Sequence, residues 1–300
     1  MTPTRVERVR RFNRTVTQRV GALNDRFLAR GRPLGEARVL WEIGSDGCEV
    51  RTLRMRLELD SGQASRLLRS LEAAGLVRVA SSSADRRVRV ARLTRAGRAE
   101  RALLDKRSDE LAASLLDPLD DDQRDQLLGA MRVVERLLTA AAIEIRQVDA
   151  NHPDARQCLR AYFAELDQRS DSGFDPAAGV SAEPHELTPP AGCFLIAYLR
   201  SEPVGCGAVK HHTRSPSHIK RMWVSQSARG LGIGRRVLSE LEAQVLLSGA
   251  TSARLDTNRA LVEAIAMYRS AGYREVAPFN DEPFAHHWFE KRLRVRGAPL

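Results

Sequence analysis

The stretch Met222-Trp223-Val224-Ser225-Gln226-Ser227-Ala228-Arg229-Gly230-Leu231-Gly232-Ile233-Gly234-Arg235-Arg236 reads as the end of a strand, a turn, and a glycine-rich loop that opens a helix. The strand covers residues 219–224, and the helix carries Val237, Leu238, Leu241 and Val245 as an apolar stripe. Glycine lets a backbone come close to a ligand and aim several N–H groups at it. The positive end of the helix then favours phosphate. Two well-known cradles are excluded by spacing: G-x-x-x-x-G-K-[ST] is missing, and G-x-G-x-G differs from the dinucleotide pattern G-x-G-x-x-G.

Around this unit, short β-rich runs (194–199, 204–210, 254–257) alternate with amphipathic helices, which predicts an α/β or α+β domain. The tract 172–192, with Pro176, Pro184, Pro189, Pro190 and three glycines, is loop-like, and a loop of that length is usually functional or mobile. Upstream of Ile145 the pattern is mostly helical. It ends in a run over 120–144 with Leu127, Met131, Val134, Leu137 and Leu138 at three- and four-residue spacing. Three hundred residues fit two domains, and the boundary is placed between 145 and 146, the last helix running straight into the first strand of the second domain.

Residues 34–93 form a unit of their own. Helices are predicted over 34–44, stopped by Gly44 and Gly47, and over 50–58. A third begins at a cap formed by Asp60 or Ser61, runs through Ala74 and ends at Gly75. It buries Ala64, Leu67, Leu68 and Leu71 and leaves Gln63, Arg66 and Arg69 outside. Two β-type runs, 76–80 and 87–93, are joined by the polar Ser81-Ser82-Ser83-Ala84-Asp85-Arg86. Two short helices, a capped third and a basic hairpin describe a winged helix-turn-helix, whose third helix enters the major groove of DNA while the hairpin reaches toward the minor groove. The charge agrees. The chain carries a net +10, and residues 50–107 hold 15 basic against 6 acidic residues, next to 3 against 9 over 108–145. A basic block of that kind suits a polyanion.

Composition narrows the class. With 43% hydrophobic and 29% charged residues the chain is ordinary globular protein. No apolar run approaches the roughly 20 residues of a membrane span, and the arginine-rich start has no apolar segment behind it, so neither a membrane association nor a signal peptide is expected. Cys48, Cys158, Cys193 and Cys206 are far apart and never in a C-x-x-C spacing, which argues against disulfides and a zinc site and for a reducing, cytoplasmic location. His211-His212 and His286-His287, read as alternating on strands, cannot both face one metal, so no metal is expected.

Two resemblances sharpen these readings. Asp85-Arg86-Arg87-Val88-Arg89-Val90-Ala91-Arg92-Leu93-Thr94-Arg95-Ala96-Gly97 resembles the wing of MarR-type transcription regulators, and 61–77 is similar to their recognition helix with its Gly-Leu-Val turn. The resemblance covers about 1–142. It implies a homodimer built on N- and C-terminal helices, here roughly 6–28 and 111–142. It also implies that Asp85 braces the wing and that Arg87 sits at or near double-stranded DNA. Ser61, Gln63, Ser65, Arg66, Arg69, Arg86 and Arg87 are the candidate DNA-contacting residues, since arginine forks onto guanine edges or holds phosphate oxygens.

The motif R-x-x-G-x-G (Arg229, Gly232, Gly234) resembles the coenzyme A pyrophosphate loop of the GNAT acetyltransferases, and the resemblance extends over about 145–295. It implies a GNAT fold with a mixed central sheet over 146–300, after a mainly helical winged-helix domain over 1–145, and acetyl-CoA as acyl donor. Met222, Val224, Arg229, Gly230, Gly232, Ile233, Gly234, Arg235, Asn258 and Tyr268 become the candidate coenzyme-binding residues. An amine would attack the thioester directly. By the same resemblance Tyr268 protonates the leaving thiolate, with Asn258 near the pantetheine or thiol. Many relatives carry Glu two residues before the Lys-Arg-Met of this strand; His218 stands there and is the candidate general base. The expectation is therefore a DNA-binding regulator fused to an N-acetyltransferase acting on a small amine or a protein lysine. The alternative is a regulator that senses acetyl-CoA without turnover.

Overall fold

The computed structural model describes residues 4–22, 28, 31–82, 85–170, 173, 175, 182–212 and 216–294. Ser83 and Ala84 of the wing, most of 172–181, and residues 23–27 of the expected first helix lie outside the described residues. The chain divides into two compact units, Met1–Met131 and Arg132–Leu300.

The first unit contains α1 (Arg5–Arg19), α2 (Leu34–Ile43), β1 (Cys48–Glu49), α3 (Val50–Arg56), α4 (Ser61–Ala73), β2 (Val77–Ser81), β3 (Arg89–Leu93) and α5 (Arg95–Leu116); α6 (Asp121–Ala141) runs through the division. Of the two residues offered as the cap of α4, Asp60 fills the role. Its carboxylate accepts the Gln63 N–H at 2.8 Å while the Gln63 side chain accepts the Asp60 N–H at 3.2 Å. Gly75, at φ +69°, turns the chain into β2. The strands make a three-stranded antiparallel sheet in the order β1-β3-β2, with Val77 opposite Leu93 and Ser81 opposite Arg89. Both strands of the hairpin begin one or two residues later than the sequence suggests, because that register sets Val77, Ala91 and Leu93 on the helices. Leu40, Ile43, Leu53, Leu71 and Leu104 are the fully buried centre of this core. Glu36 is buried too, held by Arg32 Nη1 at 3.0 Å and by the Ser70 hydroxyl at 2.6 Å, which ties α2 to α4.

Helix α1 buries none of its residues; Val6, Val9, Phe12 and Val16 form an exposed apolar row on it. Helix α6 is similar, with Leu128, Met131, Leu137 and Leu138 exposed.

The second unit contains β4 (Ile143–Val148), α7 (Pro153–Arg169), β5 (Gly192–Leu199), β6 (Glu202–Lys210), β7 (Ser217–Val224), α8 (Ile233–Leu247), β8 (Ser252–Thr257), α9 (Val262–Ser270), β9 (Arg274–Val276) and β10 (His287–Arg292). One residue, Ala142, separates α6 from β4. The seven strands form a mixed sheet in the order β4-β5-β6-β7-β8-β10-β9, antiparallel except between β7 and β8. The uninterrupted apolar run of β5 follows from burial on both faces. Phe194, Ile196 and Tyr198 pack on the side of α7, and Cys193, Leu195 and Ala197 on the side of α8. The expected stripe Val237, Leu238, Leu241 and Val245 is wholly buried on that second side. His211 and His212 follow the end of β6 rather than lying on a strand, and of the second pair only His287 is in β10. Among the described residues no cluster of three His, Cys, Asp or Glu could hold a metal, no helix is long and apolar enough to cross a membrane, and all four cysteines are buried free thiols.

One backbone approach in the first unit is unusually close. A Cβ at Gly97, in the first turn of α5, would fall 2.0 Å from the Leu76 carbonyl oxygen. Gly97→Ala is therefore expected to destabilise the winged-helix unit by about 1–3 kcal/mol, read as a lower urea midpoint. An unaltered midpoint would show that α5 and the start of β2 can part at no cost.

Candidate active site and nucleic-acid interface

Strand β7 pairs with β6 along its length but with β8 only at Ser217↔Ala253 and His218↔Arg254. Past His218 the two parallel strands part. Arg221 at φ +60°, beside the register shift between Cys206 and Ala208, marks an irregularity that turns the end of β7. Met222 and Val224 then line a cavity of about 470 Å³, which also takes in Tyr162 on α7, the loop before α8, and Tyr268 on α9.

The loop is built from glycines that need to be glycines. Gly230 and Gly232 lie at φ +78° and +76°, where other residues are strained. Gly232 caps α8 without a side-chain hydrogen bond, so the first-turn N–H groups of the helix have no acceptor of their own and stand at the cavity. Gly234 lets α8 sit against α9, since a Cβ there would fall 3.0 Å from the Met267 sulfur. Ile233 is buried, anchoring the turn while its backbone stays at the cavity wall. Arg235 also lines the cavity, and its guanidinium donates to the Ser270 hydroxyl.

The guanidinium of Arg229 is already committed within the protein. Its Nη2 lies 2.5 and 2.6 Å from the two Glu165 oxygens and its Nε donates to the Val224 carbonyl at 3.2 Å. Glu165, on α7, also accepts from Trp223 Nε1 at 3.0 Å and lies 3.1 Å from Arg169 Nε. Arg229 thus staples the loop to β7 and α7. Glu165 was not foreseen from sequence. Its only local signal is the i,i+4 spacing to Arg169.

Tyr268 is buried beside Tyr273 and Phe289, with ring centroids 6.0 and 6.2 Å away. Burial pushes its pKa well up, so its phenol keeps a proton through the neutral range. Tyr162, unmarked in the sequence, is shifted the same way by burial and faces the same cavity. Asn258 is engaged within its own loop. Its amide donates to the Phe284 carbonyl at 2.9 Å and accepts the Ala260 N–H at 2.9 Å, so it holds the turn after β8 and is outside the cavity lining. His218 stands where the strands part, buried and, like Asn258, outside the cavity lining, with Nε2 2.6 Å from Asp256 Oδ2. Burial lowers its pKa against the opposing pull of the Asp256 hydrogen bond, while Asp256, which burial pushes up, ends below the usual carboxylate range through His218, Lys220 and Asn280.

In the first unit Ser61, Gln63, Ser65, Arg66 and Arg69 are exposed on one side of α4, and Arg86 and Arg87 are exposed at the wing turn. The Gln63 amide is engaged in the Asp60 cap, and Arg69 Nε donates to the Ser65 carbonyl at 3.2 Å. Asp85 accepts the Arg87 N–H on its side chain at 2.9 Å and the Val88 N–H on its carbonyl at 3.0 Å, which closes the turn and leaves the Arg87 side chain 95% exposed.

Residues 190–275 match the family model of the acetyltransferase (GNAT) domain, and residues 30–88 match that of the MarR family. The chain is 37% identical over 87 residues to an IAA acetyltransferase of Azospirillum brasilense, an alignment that takes 29% of this chain and spans 57% of that protein. It is 33% identical over 136 residues to an uncharacterized N-acetyltransferase of Schizosaccharomyces pombe, covering 43% of this chain and 80% of the relative. A solved GNAT-family acetyltransferase from Staphylococcus aureus aligns with 51% of this chain and all of its own, at 18% identity and a TM-score of 0.44. The chain belongs to the GNAT acetyltransferase family, carrying that domain behind a region that matches MarR regulators.

Proposed function

We propose that the chain is a cytoplasmic, homodimeric DNA-binding regulator over 1–145 joined to an acetyl-CoA-dependent N-acetyltransferase over 146–300. The observation that carries the enzymatic reading is the single cavity that collects the parted end of β7, the uncapped start of α8 and the phenol of Tyr268. Backbone N–H groups of Gly230, Gly232, Ile233, Gly234 and Arg235 would hold the coenzyme's pyrophosphate. The unpaired backbone beside Met222 and Val224 would align the pantetheine arm and polarise the thioester carbonyl. The neutral amine attacks that carbonyl carbon. As the N–C bond forms and the C–S bond breaks, the sulfur takes the proton of Tyr268 and the nitrogen gives its own to His218. A donor that stays protonated and an imidazole kept neutral by burial are the states those two tasks need.

For the first unit, the exposed side of α4 and the braced turn at Asp85 support contact with double-stranded DNA through Ser61, Ser65, Arg66, Arg69, Arg86 and Arg87, with Gln63 acting from its cap. The uncovered apolar rows of α1 and α6 support the homodimer, which would bury both.

The enzymatic reading is tested by thiol release from acetyl-CoA across a panel of amines, amino acids and lysine peptides. Turnover on one acceptor is expected, and Tyr268→Phe is expected to cut kcat by about 10²-fold or more while the coenzyme still binds. Tight coenzyme binding with no turnover on any acceptor would favour the sensing regulator. For the DNA reading, Arg87→Ala is expected to weaken binding to chromosomal fragments and to flatten its dependence on log salt by about one unit of slope. An unaltered affinity and slope would show that Arg87 only shapes the turn.

A further inference from the structure

His218 lies at the end of a chain of side chains drawn from three other segments. Trp288 Nε1 donates to Asn280 Oδ1 at 2.7 Å, Asn280 Nδ2 donates to Asp256 Oδ2 at 3.0 Å, and the same oxygen is 2.6 Å from His218 Nε2. Trp288 and Asp256 are directly opposite in the register of β10 on β8. The direction of every link follows from its far end. An indole N–H can only donate, so it turns the oxygen of the Asn280 amide to itself and the NH₂ to Asp256. A carboxylate can only accept, so His218 must carry its proton on Nε2. In the neutral ring that leaves the lone pair on Nδ1.

We propose that Asp256, Asn280 and Trp288 are positioning residues that hold His218 in its Nε2–H tautomer, so that Nδ1 takes the proton of the attacking amine. The inference rests on the acetyltransferase reading. As the amine nitrogen bonds to the acetyl carbon, its proton passes to Nδ1, the thioester C–S bond breaks, and the sulfur is protonated by Tyr268. The imidazolium so formed is stabilised by Asp256 until it returns the proton to solvent, and solvent reprotonates the Tyr268 phenolate, which restores both groups.

Burial and the charged groups around the ring together set the sign of the pH dependence. Asp256 on β8 favours the imidazolium; Lys220 on the same strand and Arg254 on β8 oppose it. Lys210, opposite His218 on β6, is paired with Glu186, and the Phe279 ring meets the imidazole edge-on at 5.4 Å. Glu282 and the α7 phenol Tyr162 face the neighbouring Lys220 and Asp256. Burial is the largest influence and lowers the His218 pKa. Activity should therefore fall as the pH drops through a value under the ordinary imidazole pKa of about 6.5, and replacing Asp256 by a neutral residue should move that limb lower still.

The test uses the full chain with ¹⁵N-labelled histidine, the His218 signals being assigned by their loss in His218→Gln. The expected result is an Nε2–H tautomer that titrates below the free-imidazole value. In Asp256→Asn the new amide can donate to Nε2, so the tautomer is expected to reverse or become mixed. There kcat is expected to fall about 10²-fold or more with the coenzyme Kd unchanged. Trp288→Phe, which keeps the ring and removes only the donor, should give a smaller shift of the same sign, with its urea midpoint measured alongside. An Nδ1–H tautomer in the wild type, or a tautomer indifferent to Asp256→Asn, overturns the relay. Coenzyme binding without turnover on any amine overturns the enzymatic reading itself, and the tautomer then still decides whether the chain of side chains orders the ring.

Discussion

The constraint on which the second unit depends is a parallel pair of strands that stays together for only two residues. In an intact sheet each backbone N–H and C=O finds its partner in the next strand, and a buried group without one is costly. Here β7 and β8 separate after His218, in the middle of seven strands. The rest of the unit makes the gap tolerable. On one side β6 and α8 grip β7 so closely that a Cβ at Gly207 would fall 2.7 Å from both the Met222 sulfur and Val237 Cγ1. On the other, β8 is secured by β10 across all six of its residues. Two rigid half-sheets thus meet at a narrow vertex, and the open backbone between them faces a cavity instead of a ladder.

Electrostatics at that gap are arranged differently from what a basic chain suggests. The side chain that the R-x-x-G-x-G pattern brings forward, Arg229, meets a carboxylate, and Glu165 in turn serves Trp223, Arg169 and Arg229 together. Beside the Arg235 guanidinium, the positive character available to an anion is that of a helix start and its oriented amides, which are fixed by the fold and lose no side-chain entropy on binding. The arginines act as structural cement around a backbone site.

The fold was legible where the signals are local. The cap at Asp60 with Gln63 three residues on, the stops at Gly44 and Gly75, the alternation of the wing and the stripe Val237, Leu238, Leu241, Val245 are each written within a dozen residues, and each recurs in the structure. The glycine loop was legible for the same reason. What stayed hidden depends on residues distant in sequence and close in space. The partner of Arg229 is 64 positions away, and the partner of His218 is 38. Asn258 is a further case: its amide meets the Phe284 carbonyl and the Ala260 N–H, contacts that only the folded loop creates.

Arg236, two residues beyond Gly234, reaches back from α8 and donates to the Ala140 carbonyl at 2.8 Å and the Ile143 carbonyl at 2.9 Å, so that it caps the last turn of α6 and the first residue of β4. Mechanically, within the second unit, the glycine loop and the outgoing end of α6 share one latch. The start of α8 cannot shift by more than a hydrogen-bond length without either dragging the end of α6 along or stripping two carbonyls of their donor. No glycine or proline hinge lies between α6 and β4, where Ala142 is the whole connection.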